Sequence, residues 1–270
     1  MFDSILAGGI SAICTKTAVA PLERLKMLKQ SQMYYKTNNY SGLFSSFQYI
    51  YSNEGFKGFF RGNIANLSRV IPAYTLKFPL NEFYKSKIGN MHKFENLLLA
   101  GTAAGFTQAF ITHPLDMLRT RMALDSHMTA NYTNLPRCLN NIIRTEGPLA
   151  LYRGLSVALT SYPLYIGIQF SLYERLKEDF GYLSGTMAGV TAQTLMFPGD
   201  VLKRQLQING VDNTEKKMNG ITDCIRYIYR TRGFTGFYQG YIINLIKVVP
   251  EVTIQFFVYE AVKNNLKTYL

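Results

Sequence analysis

Three prolines, each followed at fixed spacing by an acid and a base, carry the clearest chemistry in this chain. Pro21, Glu23 and Lys26 recur as Pro114, Asp116 and Arg119, and again as Pro198, Asp200 and Lys203. A second phrase, aromatic-(Arg/Gln)-Gly, follows each copy at Phe60-Arg61-Gly62, Tyr152-Arg153-Gly154 and Tyr238-Gln239-Gly240. Twenty residues beyond those glycines stand Glu82, Glu174 and Glu260, and three further on stand Lys85, Lys177 and Lys263. Acid and base at such spacing suit reversible ion pairing. They do not suit bond making. A half-solvated pair is worth only about 0–1 kcal/mol, so such pairs can form and break.

Catalysis finds little support. The histidines, His92, His113 and His127, are scattered, and neither a Ser/His/Asp arrangement nor a metal-ligand spacing is present. The expectation is a protein that is no enzyme and needs no cofactor or metal. Three cysteines make no disulfide framework. Cys138 and Cys224 each lie sixteen residues before a repeat glycine, where the first copy has Ser46, and read as small residues at one repeat position.

The elements that position these charges follow from the period. The prolines are 93 and then 84 residues apart, which divides the 270 residues into three similar units, about 1–90, 91–180 and 181–270. Each unit holds two long, charge-poor segments: 2–22 and 64–81, then 94–115 and 155–173, then 181–199 and 241–259. None is a run of about 20 purely apolar residues. The polar residues inside them recur at equivalent positions, as when spans surround a wet interior. Small residues four apart (Gly8 and Ala12, Gly101 and Gly105, Gly185 and Gly189) predict close helix contact. Between the two spans of each unit lies a short amphipathic helix, at 43–51, 135–144 and 221–230. The fold expected is an all-α membrane protein with six transmembrane helices in three pseudosymmetric repeats. A soluble helical-repeat scaffold is the distant alternative. A net charge of +12 points to an anionic partner.

These residues resemble the mitochondrial carrier family, whose signature is Pro-x-(Asp/Glu)-x-x-(Lys/Arg), then acid-Gly, then aromatic-(Lys/Arg)-Gly. Units one and two match through Glu54-Gly55 with Arg61-Gly62 and Glu146-Gly147 with Arg153-Gly154. Unit three departs, with Arg232 before Gly233 and Gln239 before Gly240. The resemblance covers the whole chain. It implies one carrier domain in the mitochondrial inner membrane, or in the membrane of a related organelle, working by alternating access around a central solute site. It also implies a monomer, contact with membrane lipids such as cardiolipin, and no nucleic acid partner. Two gates come with it. Glu23, Asp116 and Asp200 would pair with Lys26, Arg119 and Lys203 at the matrix side, braced by Gln30 and Gln207; Ala123 fills the third bracing position. Glu82, Glu174 and Glu260 would pair with Lys85, Lys177 and Lys263 at the cytoplasmic side.

If symmetric residues form gates, residues that break the symmetry mark the solute site. Seven residues after the repeat glycines lie Arg69, Ser161 and Lys247; Lys16 and Lys77 stand where the other units have Ala109 and Gln193, and Gln169 and Gln255. Glu251 lies four residues after Lys247, on the same helix face. Lys16, Arg69, Lys77 and Lys247, with Ser161 and Tyr162 on the fourth span, suit a polyanion. The stretches Arg61–Pro72 and Lys16–Arg24 resemble the adenine-nucleotide and coenzyme A branch. The expected activity is antiport of ATP and ADP, with phosphate as a further substrate. The alternatives are coenzyme A or thiamine pyrophosphate.

Overall fold

The computed structural model describes residues 2–35, 40, 42–88, 94–124, 134–210 and 218–269. His92 and His127 lie outside them. The described residues form helices α1 (Phe2–Ala18), α2 (Ala20–Tyr35), α3 (Leu43–Gly58), α4 (Asn63–Ile88), α5 (Phe94–Leu124), α6 (Leu135–Glu146), α7 (Leu155–Phe180), α8 (Ser184–Ile208), α9 (Ile221–Arg232) and α10 (Tyr241–Tyr269), with short 3-10 turns between some of them.

The long helices overrun the expected segments at their ends. At 1.5 Å per residue the 31 residues of α5 reach about 46 Å, more than a hydrocarbon core of about 30 Å. The repeat prolines act unequally. α5 and α8 run on through Pro114 and Pro198, while the first unit breaks between α1 and α2 at Val19, just before Pro21. Only two helical stretches among the described residues, Pro148–Phe180 and Phe234–Asn265, are long and apolar enough to cross a membrane on length and composition alone. Yet large apolar side chains point outward along the long helices, including Ile71, Phe110, Leu164, Val249 and Phe257. Exposed apolar surface of this extent marks a surface meant to be covered.

The second long helix of each unit packs on the first long helix of the next: α4 on α5, α7 on α8, and α10 back on α1. Of the small residues that the spacing suggests, Ala12 is buried and Gly189 meets Gln169 of α7, but the other glycines stand clear of the seam. A β-carbon added at Gly8, Gly101, Gly105 or Gly185 would meet nothing within 4 Å. The buried column stands one residue earlier in each pair, at Ala7, Ser11 and Thr15, at Ala100 and Ala104, and at Ser184, Ala188 and Ala192. Small residues four apart do line the contact, in a register rotated by one residue, because the tight turn of a helix moves neighbouring positions by 100°. Ser11 adds a hydrogen bond across this seam to the carbonyl of Gln255, at 2.6 Å.

The short helices α3, α6 and α9 bury one stripe each. Ser46, Cys138 and Cys224 stand at one position of that stripe and Ile50, Ile142 and Ile228 four residues on, all essentially without solvent contact. Burial pushes the Cys224 thiol up to about 12, as befits a packing residue with no chemistry to perform.

Candidate functional site

At the proline end of the long helices, three charge pairs join three helices into a closed ring. Glu23 on α2 meets Arg119 on α5. Asp116 on α5 lies 2.6 Å from Lys203 on α8. Asp200 on α8 lies 3.3 Å from Lys26 on α2. All six residues of the first expected set are thus brought together, each acid with the base of the following unit. Glu23 and Asp116 are deep in the structure, whereas Asp200 keeps nearly half of its side chain open.

The expected braces divide. Gln207 donates to Asp116 Oδ2 at 3.1 Å and so supports the α5–α8 pair. Gln30 does not brace its pair: its amide nitrogen has no hydrogen-bond partner. Lys26 instead donates to Asn244 Oδ1 at 2.9 Å, and Asn66 donates to Glu23 at 3.4 Å. Asn66 and Asn244 each lie four residues after a repeat glycine, so a search for residues shared by two of the three units would have found both.

Below the charge pairs lies a second threefold set. Arg24 on α2 donates to the carbonyl of Ala123, Arg121 on α5 to the carbonyl of Gln207, and Gln205 on α8 to the carbonyl of Gln30. The three acceptors all stand nine residues after a repeat proline. Each helix therefore donates a side-chain hydrogen bond to a backbone carbonyl of its neighbour.

The repeat glycines fit the same plan. Gly154 has φ of +81°, and an added β-carbon would lie 3.0 Å from the carbonyl oxygen of Lys203. Gly62 meets Ala123 and Gly240 meets Lys26 in the same manner. Each glycine turns the chain into a long helix while touching the backbone of the helix that carries a ring residue.

The third unit departs as its motif does. Units one and two hold acid-centred clusters. Glu54 lies 2.8 Å from Arg24 and 3.3 Å from Arg61. Glu146 lies 3.0 Å from Arg121 and also meets Arg153. In unit three the corresponding residues are Gln205, Arg232 and Gln239. The Gln239 amide oxygen accepts from Arg232 Nη1 at 2.9 Å and its nitrogen donates to the Lys29 carbonyl at 3.2 Å. Where units one and two hold an acid between two arginines, unit three has Arg232 against the Gln239 amide, and the Gln205 side chain turns to the Gln30 carbonyl instead. The formal charge of the trio is the same.

The residues that break the symmetry gather on the inner side of the ring. Lys16 lies 3.6 Å from Glu23 and also pairs with Glu251. Lys247 lies 3.2 Å from Glu23 and 3.0 Å from Glu251. Arg69 lies 3.8 Å from Asp116. Lys77, two turns beyond Arg69 on α4, is exposed. Ser161 stands at the α7–α8 seam, where an added β-carbon at Gly199 would run into its hydroxyl oxygen. Tyr162 is exposed.

At the opposite end the second expected set is not brought together. Glu82 and Lys85, 3.0 Å apart, belong to one helix, as do the paired Glu174 and Lys177. Lys263 lies over the ring of Tyr259, one position from Glu260 on the same helix. No ion pair between helices forms among these six residues, whereas the proline end holds three. Residues three apart on one helix satisfy each other when their partners on other helices are out of reach.

The family model described as Mitochondrial carrier protein matches this chain three times, over residues 1–92, 90–182 and 181–270. The chain is 33% identical to the mitochondrial adenine nucleotide transporter ADNT1 of Arabidopsis thaliana, covering 97% of this chain and 86% of that one. It is 33% identical to the mitochondrial carrier protein CoAc2 of Zea mays over 97% and 86% of the two chains. Human solute carrier family 25 member 16 is 31% identical over 96% and 87%.

Proposed function

We propose that this chain, which belongs to the mitochondrial carrier protein family, exchanges adenine nucleotides across the mitochondrial inner membrane, ATP against ADP and with phosphate as a further substrate. Six spans carry the work: α1 with α2, then α4, α5, α7, α8 and α10, as one carrier domain of three units. The ring of Glu23, Lys26, Asp116, Arg119, Asp200 and Lys203 is the matrix gate, closed here. The residues Glu82, Lys85, Glu174, Lys177, Glu260 and Lys263 form the cytoplasmic gate, open here. The arrangement is then the state that receives solute from the cytoplasmic side. One chain contains the whole ring, so the working unit is a monomer.

The observation that carries the substrate reading is the cluster of Lys16, Arg69 and Lys247 directly on the inner side of the closed gate. A polyphosphate entering from the open end would meet Lys77 first and then this cluster. There its oxygens compete with the very carboxylates that hold the gate shut. Binding and gating are thus coupled through shared cations, as alternating access requires. Arg69 offers a planar fork and the lysines offer point charges, a combination suited to phosphate. Tyr162, exposed on α7, is the residue that would stack on a base in this reading. The adenine nucleotide transporter named among the relatives supports the same solute class.

Coenzyme A is the second reading. It has adenine and a phosphate cluster in common with ADP, and the relatives include a chain named CoAc2. Thiamine pyrophosphate follows. Membrane lipids are expected partners at a cavity of about 380 Å³ lined by Arg153, Gly154 and the start of α9 at Gly220 and Ile221, where free backbone N–H groups favour a phosphate such as that of cardiolipin.

Thermal unfolding of the detergent-purified protein separates the readings, because a ligand that binds the folded state raises its stability. ADP and ATP are expected to raise the midpoint at lower concentration than coenzyme A or thiamine pyrophosphate. The reverse order would replace the nucleotide reading with the second one.

A further inference from the structure

We propose that Glu251 is an internal counter-anion: it occupies the cations of the empty site and sets how much negative charge a substrate needs to displace it. The inference rests on the reading that Lys16 and Lys247 receive substrate phosphates.

The geometry is a closed ring of alternating charge. Lys16, Glu23, Lys247 and Glu251 form its four corners, and every side is an ion pair: Lys16 with Glu23 at 3.6 Å, Glu23 with Lys247 at 3.2 Å, Lys247 with Glu251 at 3.0 Å, and Glu251 with Lys16. The ring joins α1, α2 and α10 and has no net charge. Its two acids are not equivalent. Glu23 also holds Arg119 and accepts from Asn66, and it is almost fully buried. Glu251 has only the two lysines among its ion-pair partners here and keeps about 20% of its side chain open. Of the two, Glu251 is the one that can leave.

Symmetry points the same way. The positions equivalent to Glu251, eleven residues after the repeat glycine, are Ala73 and Tyr165. A carboxylate occurs there in unit three alone, and the gates use acids present in all three units. Glu251 therefore belongs with the residues that break the symmetry and face the solute.

The consequence is selectivity by charge. A substrate gains the two lysines only by displacing a carboxylate already bound to them. A singly or doubly charged phosphate offers little advantage over that carboxylate and so enters only as a weakly bound secondary substrate. A polyphosphate offers several charges at once and wins. Glu251 also supplies the second counter-charge of the empty site, since Glu23, the other acid between the two lysines, is shared with Arg119.

The test uses inorganic tripolyphosphate and orthophosphate as probes, with affinity read from the thermal stabilisation each gives to the purified full-length protein. Each variant is compared with its own ligand-free midpoint, so a change in intrinsic stability drops out. The wild-type protein is expected to bind tripolyphosphate and to bind orthophosphate far more weakly. Glu251→Gln is expected to bind orthophosphate about tenfold more tightly and to narrow the gap between the probes, since the competing charge is gone. Glu251→Asp keeps the charge and is expected to retain wild-type discrimination. Wild-type affinities in Glu251→Gln would overturn the proposal, as would weaker binding of both probes. A Lys16→Gln/Lys247→Gln variant isolates the underlying reading. Tripolyphosphate binding that survives in it would remove the lysines from the site and the proposal with them. Loss of binding there, with no effect of Glu251→Gln, would overturn the counter-anion role alone.

Discussion

Gln207 on α8 donates its side-chain nitrogen to Asp116 on α5 at 3.1 Å, while its side-chain oxygen accepts from Thr120 at 2.8 Å. Its backbone carbonyl accepts from Arg121 at 2.8 Å. One glutamine thus ties the α5–α8 seam at three points. The α8–α2 seam has no equivalent, since Gln30 leaves the Lys26–Asp200 pair to Asn244. Gln207→Ala is therefore expected to destabilise the closed gate by about 1–3 kcal/mol, the cost of leaving buried polar groups without partners. Gln30→Ala is expected to cost less. Thermal midpoints of the two purified variants check the ranking, and equal losses would contradict it.

Glu23 is shared by the gate and by the candidate substrate cations. It faces Arg119, Lys16 and Lys247 together. Glu23→Gln leaves those three cations without their common anion, and breaking a buried charge cluster from one side is costly, about 3–5 kcal/mol for a single pair. The closed state weakens against the open one. The maximal exchange rate is expected to change more than the apparent affinity. Initial-rate uptake over a range of substrate concentrations checks this, and a pure affinity loss would remove Glu23 from the gate.

The inverted trio of unit three predicts unequal dependence on charge. Glu146 is buried between Arg121 and Arg153, and Glu146→Gln leaves both without their acid. Its expected cost is about 3–5 kcal/mol. Arg232 is partly buried and gives up hydrogen bonds to the Gln239 amide, so Arg232→Gln is expected to cost about 1.5–3 kcal/mol. A larger drop in thermal midpoint for Arg232→Gln than for Glu146→Gln would show that unit three is held in another way.

Gly154 turns the chain into α7 with φ of +81° and rests against the Lys203 carbonyl. Gly154→Ala strains the backbone and presses a methyl group on the helix that carries a gate lysine, an expected loss of about 1–3 kcal/mol. Gly105→Ala on α5 meets open space and is expected to be nearly neutral in thermal stability. A reversed order would contradict the seam described above.

What the sequence revealed follows from what the threefold repeat can encode. The ring residues were readable because the same charge recurs three times at one spacing, and a repeat survives whatever the helices do around it. Their partners were not readable. Which acid meets which base depends on helix rotation, and a shift of one residue moves a side chain by 100°. The same rotation displaced the packing column from Gly8 and Gly101 to Ala7 and Ala100. The second set was legible as residue types and spacing, and its ion pairs lie within single helices. The symmetry-breaking cations Lys16, Arg69 and Lys247 were found by comparing units. That each already holds a carboxylate was not, apart from the Lys247–Glu251 pair four residues apart on one helix. Contacts between α1, α2 and α10 join residues more than two hundred positions apart, beyond the reach of local spacing.

Uptake of labelled ATP into liposomes carrying the purified protein, preloaded with ADP, coenzyme A, thiamine pyrophosphate or nothing, tests the central claim most directly. The account predicts rapid uptake with internal ADP, little without internal substrate, and loss of that uptake in Arg69→Ala and Lys247→Ala. Absence of ATP uptake under every loading would contradict it.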